Sequence, residues 1–307
     1  MMQIQFIEAN QIRFAYLSQG NGPLVLCLHG FPDTPYTYLK LIHQLSKQGY
    51  RVVAPFARGY APTSIPQDNS YSVIDFGKDA LALIEAFGED KAILIGHDWG
   101  ALAVYTACQL APHKIIKAVT AAVPHPNALK VSPAQLRKSW YIFFFQIRFI
   151  AEWKLRHNDL AFIDRLWEDW SPFLNPAECS TLIEEVKNSL RNPENTKAAL
   201  TYYRTIFKAA TSKKVFQLFQ SPICVPTLTI AGEQDNCVGV ENFSTMQKFF
   251  TQEFELKTIA NAGHFMMHEQ PQEFCNLISN FISPTPTQTT PKIEACNTPN
   301  QNKEAIK

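Results

Sequence analysis

At 307 residues, 46% of them hydrophobic, the chain can bury a sizeable core, either as one large domain or as a core carrying an inserted subdomain. Its 28 lysines and arginines balance 27 aspartates and glutamates, a net charge of +1, so composition gives no reason to expect nucleic acid or an anionic membrane as partner. Seven cysteines, an odd number without Cys-x-x-Cys spacing, indicate neither a disulfide framework nor a zinc site.

Met1–Glu8 shows no basic region leading into a long apolar segment. The most apolar run, Trp140–Ile150, is broken by Gln146 and Arg148 and is too short to span a bilayer. A soluble, cytoplasmic protein is the expectation. Residues 3–8 and 12–18 alternate loosely around Asn10, as an opening antiparallel pair would. Leu24–Leu28 is continuously apolar, the pattern of a strand buried on both faces of a parallel sheet, and it delivers His29-Gly30-Phe31-Pro32. A helix is expected over about Tyr38–Gln48, stopped by Gly49, then a strand at Arg51–Pro55 and a helix over 73–87 ending at Gly88. Ile115–Val123 is another apolar strand.

From Asn127 to about residue 220 the chain changes character: helix-like, aromatic and charged, punctuated by Pro133, Pro172, Pro176 and Pro193. Strand–helix alternation returns at Val225–Gly232. The expected organisation is an α/β core over 1–126 and 221–282, with a mostly parallel sheet, and a helical cap inserted over 127–220. Pro, Thr, Gln and Asn dominate 283–307, which reads as a disordered tail.

The stretch Lys91–Ala103 carries the chemistry. An apolar run of strand length breaks at Gly96-x-Asp98-x-Gly100 and resumes at once as a helical pattern. Small residues on either side of one polar residue are what a sharp strand-to-helix turn requires, a nucleophile elbow that lifts its central side chain above the sheet. Serine is usual there; here the residue is Asp98. A carboxylate is already anionic at neutral pH and needs no base to attack. It suits an electrophilic sp3 carbon, such as an epoxide or a carbon–halogen centre, and attack leaves an alkyl ester that water must cleave.

Gly96-His97-Asp98-Trp99-Gly100 together with upstream His29-Gly30-Phe31-Pro32 resembles the α/β-hydrolases, and among them the epoxide hydrolases and their haloalkane-dehalogenase relatives. The resemblance covers roughly residues 10–282. In that fold the acid and then the histidine follow the nucleophile. Asp235, after the strand ending Ala231-Gly232, and His264, after the final strand, occupy those places, with Glu233 a local competitor for the acid. His264 would activate water and Asp235 would orient it. His29, His97, His125 and His268 are poorer bases, the first three lying beside turns whose geometry they would support. The backbone amides of Phe31 and Trp99 would form the oxyanion hole, and both side chains are candidate pocket walls.

Two cap segments, Ser139–Gln146 and Leu200–Arg204, look like the epoxide-hydrolase motifs that carry ring-opening tyrosines. The matching positions are Tyr141 and Tyr203; adjacent Tyr202 points about 100° elsewhere on a helix. Trp140, Tyr141 and Tyr203 with Phe31 and Trp99 are the expected substrate contacts, and a small apolar epoxide is the expected substrate. Dehalogenation would share Asp98, Asp235 and His264 and use a halide donor such as Trp99. A non-catalytic binding member of the superfamily is the third reading, set against by the presence of every expected catalytic residue. No metal or cofactor is implied. The identity of the substrate and the oligomeric state are not legible in the sequence.

Overall fold

A computed structural model describes residues 2–283; the expected disordered tail falls outside these residues. Eight strands form one sheet: β1 (Gln5–Ala9), β2 (Ile12–Gln19), β3 (Leu24–Leu28), β4 (Arg51–Pro55), β5 (Ala92–His97), β6 (Ile115–Ala121), β7 (Thr227–Gly232) and β8 (Phe254–Ile259). Their order is β1-β2-β4-β3-β5-β6-β7-β8. The β1–β2 and β2–β4 pairs are antiparallel and the others parallel. Asn10 and Gln11 turn the opening hairpin with φ of +46° and +60°.

The core helices α1 (Leu39–Lys47), α2 (Val73–Ala86) and α3 (Trp99–Leu110) connect the early strands. Gly49 and Gly88 just past the first two take φ of +89° and +79°, the left-handed conformation in which helices commonly stop. After β3 the chain crosses to β4 on one side, then to β5 on the other. That reversal opens a crevice at the carboxyl ends of β3 and β5, where ligands bind in open parallel sheets. All six residues of β5 are buried, which its uninterrupted apolar run requires.

Between β6 and β7 the chain makes six helices: α4 (Pro133–Lys138), α5 (Trp140–Phe144), α6 (Ile150–Trp170), α7 (Pro176–Leu190), α8 (Pro193–Thr211) and α9 (Lys213–Leu218). Helix α6 is broken at His157–Leu160, where the backbone leaves helical angles. Two more helices, α10 (Met266–Glu269) and α11 (Pro271–Ile282), close the core after β8.

Candidate active site

The turn from β5 into α3 puts Asp98 at φ +53° and ψ −117°, a conformation a non-glycine side chain holds only when its surroundings enforce it. The two flanking glycines make the turn possible. A Cβ on Gly100 would lie 1.9 Å from the Leu28 carbonyl oxygen, and one on Gly96 would lie 2.2 Å from that of Gly100. The elbow is therefore pressed against the end of β3. That contact brings Phe31 within reach, and its amide donates to Asp98 Oδ1 at 2.8 Å. The Phe31–Pro32 peptide is cis.

Asp98 is buried, which pushes its pKa up; His264 and the amides of Phe31 and Trp99 pull the other way without fully offsetting burial. Its position at the amino end of α3 also favours a negative charge. His264 Nε2 lies 3.8 Å from Asp98 Oδ2, and Nδ1 lies 3.0 Å from Asp235 Oδ2. The second Asp235 oxygen accepts from the Cys237 and Val238 amides at 2.6 and 2.9 Å, so the acid is fixed in place. Burial opposes a charge on His264, but the Cys237 sulfur and the Asp235 carboxylate beside it raise its pKa well above the ordinary histidine range.

The loop carrying His264 is held by the end of α6. The His264 amide donates to Trp170 O at 3.1 Å, the Phe265 amide to Ser171 Oγ at 2.8 Å, and Glu269 accepts from the Gly263 amide at 2.6 Å. Of the other buried histidines, His29 and His97 hold backbone and His268 meets a side chain. His29 Nδ1 faces Gly30 O at 2.8 Å while Nε2 accepts from the Ala57 amide at 2.9 Å. His97 Nε2 meets His264 O at 2.9 Å, and His268 Nε2 meets Thr37 Oγ1 at 2.9 Å.

Above Asp98 a cavity of roughly 400 Å³ runs out between the cap helices, within the range of small-molecule sites. Asp98, Trp99, Tyr141 and Tyr203 line it, with Leu102, Ile142 and Ile206 among its apolar walls. The Tyr141 and Tyr203 rings meet edge to face at 5.5 Å. Burial raises both hydroxyl pKa values well above the ordinary tyrosine range, so both keep their protons at neutral pH. Tyr141 Oη lies 3.2 Å from Cys237 Sγ. The buried Tyr203 hydroxyl sits beside the Trp99 side chain without a regular hydrogen bond. Tyr202 turns away and donates to Arg58 O.

Two expected substrate contacts do not line the cavity. Trp140, one residue from Tyr141 on the same helix, points outward, 40% exposed, against Phe144 and Phe162. The Phe31 ring is fully buried behind Tyr203, edge to face at 5.1 Å, and supports that tyrosine while its amide faces Asp98.

Two residues went unnoticed in the sequence. Gln135 on α4 donates to Cys237 O at 3.0 Å and accepts from the Gly239 amide at 3.0 Å, tying the cap to the loop of Asp235. Cys237 places a buried thiol beside both Tyr141 and His264. Neither sits in a pattern that marks it, since a glutamine on a short helix and a cysteine in a loop are common everywhere. Donor atoms of Asp235, Cys237 and His264 lie within 4.8 Å of one another, a spacing that could admit a metal ion. The pairing of Asp235 with two amides and His264 Nδ1 suits an acid–base couple.

The family model of the alpha/beta hydrolase fold matches residues 23–271. Epoxide hydrolase 3 of Xenopus tropicalis is 31% identical over 282 residues, covering 88% of this chain and 75% of that protein. The AB hydrolase superfamily protein YfhM of Bacillus subtilis is 30% identical over 289 residues, covering 92% and 98%. The crystal structure of the Bacillus megaterium epoxide hydrolase in complex with an inhibitor superposes with a TM-score of 0.79 at 26% identity, covering 91% of this chain and 99% of that one. The chain belongs to the α/β-hydrolase fold family, among its epoxide-hydrolase-like members.

Proposed function

We propose that the protein converts an epoxide and water to a vicinal diol through a covalent alkyl ester on Asp98. The observation that carries this reading is one carboxylate on a strained elbow with two kinds of partner: the Asp235–His264 couple on one side and two buried tyrosine hydroxyls lining the cavity over it. Asp98 Oδ2 attacks an epoxide carbon, the C–O bond breaks, and the alkoxide takes a proton from Tyr141 or Tyr203. Oδ1, held by the Phe31 amide, becomes the ester carbonyl oxygen and is already seated where the oxyanion will form.

The electrostatics support an ordered second step. While Asp98 is ionised, it and Asp235 both favour a protonated His264. Esterification removes one of the two negative charges and lowers the His264 pKa, so the imidazolium returns its proton to the tyrosinate left by ring opening and Nε2 is free to take a proton from water. Asp235 then stabilises the imidazolium that forms. The chemistry draws on side chains of this chain alone. Dehalogenation would share the nucleophile and base, but it has no alkoxide to protonate, so the paired tyrosine hydroxyls favour the epoxide.

The test is His264→Gln mixed with excess styrene oxide and examined by intact mass and peptide mapping. The first step needs no base, so the variant should gain the mass of one whole epoxide on the peptide carrying Asp98 and then stop. With an alkyl bromide the gain would be the alkyl group without halogen. Rapid turnover by the variant, or an adduct elsewhere than Asp98, overturns the scheme.

A further inference from the structure

The overall charge of +1 conceals a segregation. Residues 129–157 and 203–216 hold ten lysines and arginines against one acid, Glu152. That acid is spent on Arg204 at 2.7 Å, within the same surface. Arg148, Lys154, Arg156, Lys208, Lys213 and Lys214 are all exposed, and among the described residues none pairs with a carboxylate. The rest of the chain is net acidic.

Apolar exposure gathers in the same place. Of 16 exposed large hydrophobic residues among those described, 11 fall within 129–153 and 207–216. Phe149 is 85% exposed and Trp153 61%. Phe149 also takes φ +65°, a left-handed conformation that a bulky aromatic rarely adopts. Phe143 and Phe207 bring α5 and α8 together with rings 5.8 Å apart, and the Arg204–Glu152 pair joins α8 to α6, so the three helices meet along this face. It reaches the mouth of the cavity, whose outer wall includes the exposed Leu129 and Phe216.

We propose that this face of the cap docks on an anionic lipid bilayer, with Phe149, Trp153 and Phe207 in the interfacial layer and the surrounding cations against the headgroups. Exposed aromatics ringed by lysine and arginine have the composition of surfaces that lie in the plane of a membrane. No helix among the described residues is long and apolar enough to cross one. The occupant is a bilayer rather than a second copy of the chain. A twofold interface would set the same cationic ring against itself, with no acids to neutralise it. On the epoxide-hydrolase reading, on which this last step rests, the cavity mouth then faces the lipid and admits epoxides partitioned there.

The full chain is sedimented with vesicles of phosphatidylcholine alone and with about 30% phosphatidylserine, at low and high salt. Binding should be at least tenfold stronger to the anionic vesicles at ~0.1 M salt and largely lost at ~0.5 M salt. Phe149→Ser/Trp153→Ser should weaken it at least tenfold. So should Arg148→Glu/Lys154→Glu, a change confined to exposed charges. Neither pair of residues lines the cavity, so turnover of a small water-soluble epoxide should stay within twofold in both. Failure to bind anionic vesicles, or equal binding to both compositions, overturns the proposal. A stable dimer in light scattering that both variants dissolve would overturn it too, assigning the face to self-association. Vesicle binding is read without substrate, so it stands even if no epoxide is turned over, and that outcome would sink the enzymatic reading alone.

Discussion

Below Asp98 the sheet core leaves no room for a side chain, whereas above it the cap leaves about 400 Å³ open. The difference shows atom by atom. At Gly30 a Cβ would lie 2.3 Å from Asp98 Oδ1, and at Gly100 it would collide with the Leu28 carbonyl. Across the cavity, Tyr141 and Tyr203 are placed by ring contacts with Phe145, Trp170 and each other rather than by backbone hydrogen bonds to their hydroxyls. The core thus fixes the charged atoms by backbone, while the cap fixes the two tyrosine hydroxyls by packing. Positioning that must be accurate to a fraction of an ångström is entrusted to glycines and amides. Substrate shape is left to aromatics.

That contrast is sharpened by removing the cap's hydroxyls while leaving the core intact. Tyr141→Phe and Tyr203→Phe should each slow epoxide turnover roughly 10- to 100-fold, and the double variant roughly 1,000-fold or more. Each single variant keeps one donor for the alkoxide, and the double keeps none. Rates on a panel of aryl epoxides, with circular dichroism to confirm folding, provide the measurement. Full activity in the double variant would move the acid elsewhere and make the cap a mere lid.

The same contrast explains what the sequence disclosed. Strand β5 and its elbow were legible because an apolar run ending in Gly-x-Asp-x-Gly has few other uses. Asp235 and His264 were named because the resemblance implies an acid and then a histidine after the nucleophile, at strand ends that period and punctuation reveal. Trp140 and Phe31 were misread as cavity walls because orientation on a five-residue helix or in a loop depends on tertiary packing, which no local period reports. Gln135 and Cys237 left no trace for the same reason. The uneven placement of charge was hidden by the overall balance. Near-neutrality is a sum over the chain, and the cap's excess of cations is cancelled by acids elsewhere.

Buried groups of the core should also set how stability depends on pH. Burial lowers the pKa of His29 and of His125 to about 4 and that of His97 well below the usual range. The unfolded chain takes up protons at these sites from about pH 6.5, whereas folded His29 and His125 do so only near pH 4 and folded His97 only well below its usual range. Stability is therefore lost on acidification across that window, by at most ~1.4 kcal/mol per pH unit for each histidine. Asp33 runs the opposite way. Burial pushes its pKa up to about 8, its Oδ2 has no hydrogen-bond partner, and His97 Nδ1 is 3.9 Å away. Its contribution is complete below about pH 4 and falls as pH rises through 8. Denaturation midpoints between pH 4 and 9 should peak near pH 6.5. Asp33→Asn should make the alkaline fall shallower and the acid-side rise steeper, because the loss it removes runs across the whole span from about pH 4 to about pH 8. An alkaline fall of unchanged steepness in the variant would show that other groups carry it.

The smallest effect should come from the neighbour of one of the two tyrosines proposed to donate a proton. Tyr202 and Tyr203 are consecutive on α8, yet they serve the two regions separately. The Tyr202 hydroxyl donates to the carbonyl of Arg58, whose guanidinium is gripped by the buried Asp79 at 2.6 and 2.7 Å. Asn10 adds a third bond to Asp79 at 2.7 Å, so this network ties α8 to α2 and the opening hairpin. Tyr202→Phe keeps the ring contacts with Phe76 and Trp99 and leaves one buried carbonyl without its donor. The cost should be about 1 kcal/mol of stability, with kcat and KM within about threefold of the parent. Tyr203→Phe should do the reverse, slowing turnover with little change in stability, because its hydroxyl satisfies no regular hydrogen bond in the resting protein. Equal losses of rate in the two variants would mean that α8 can rotate to present either tyrosine. The separation of a fixed core from a packed cap would then fail at the one helix where they meet.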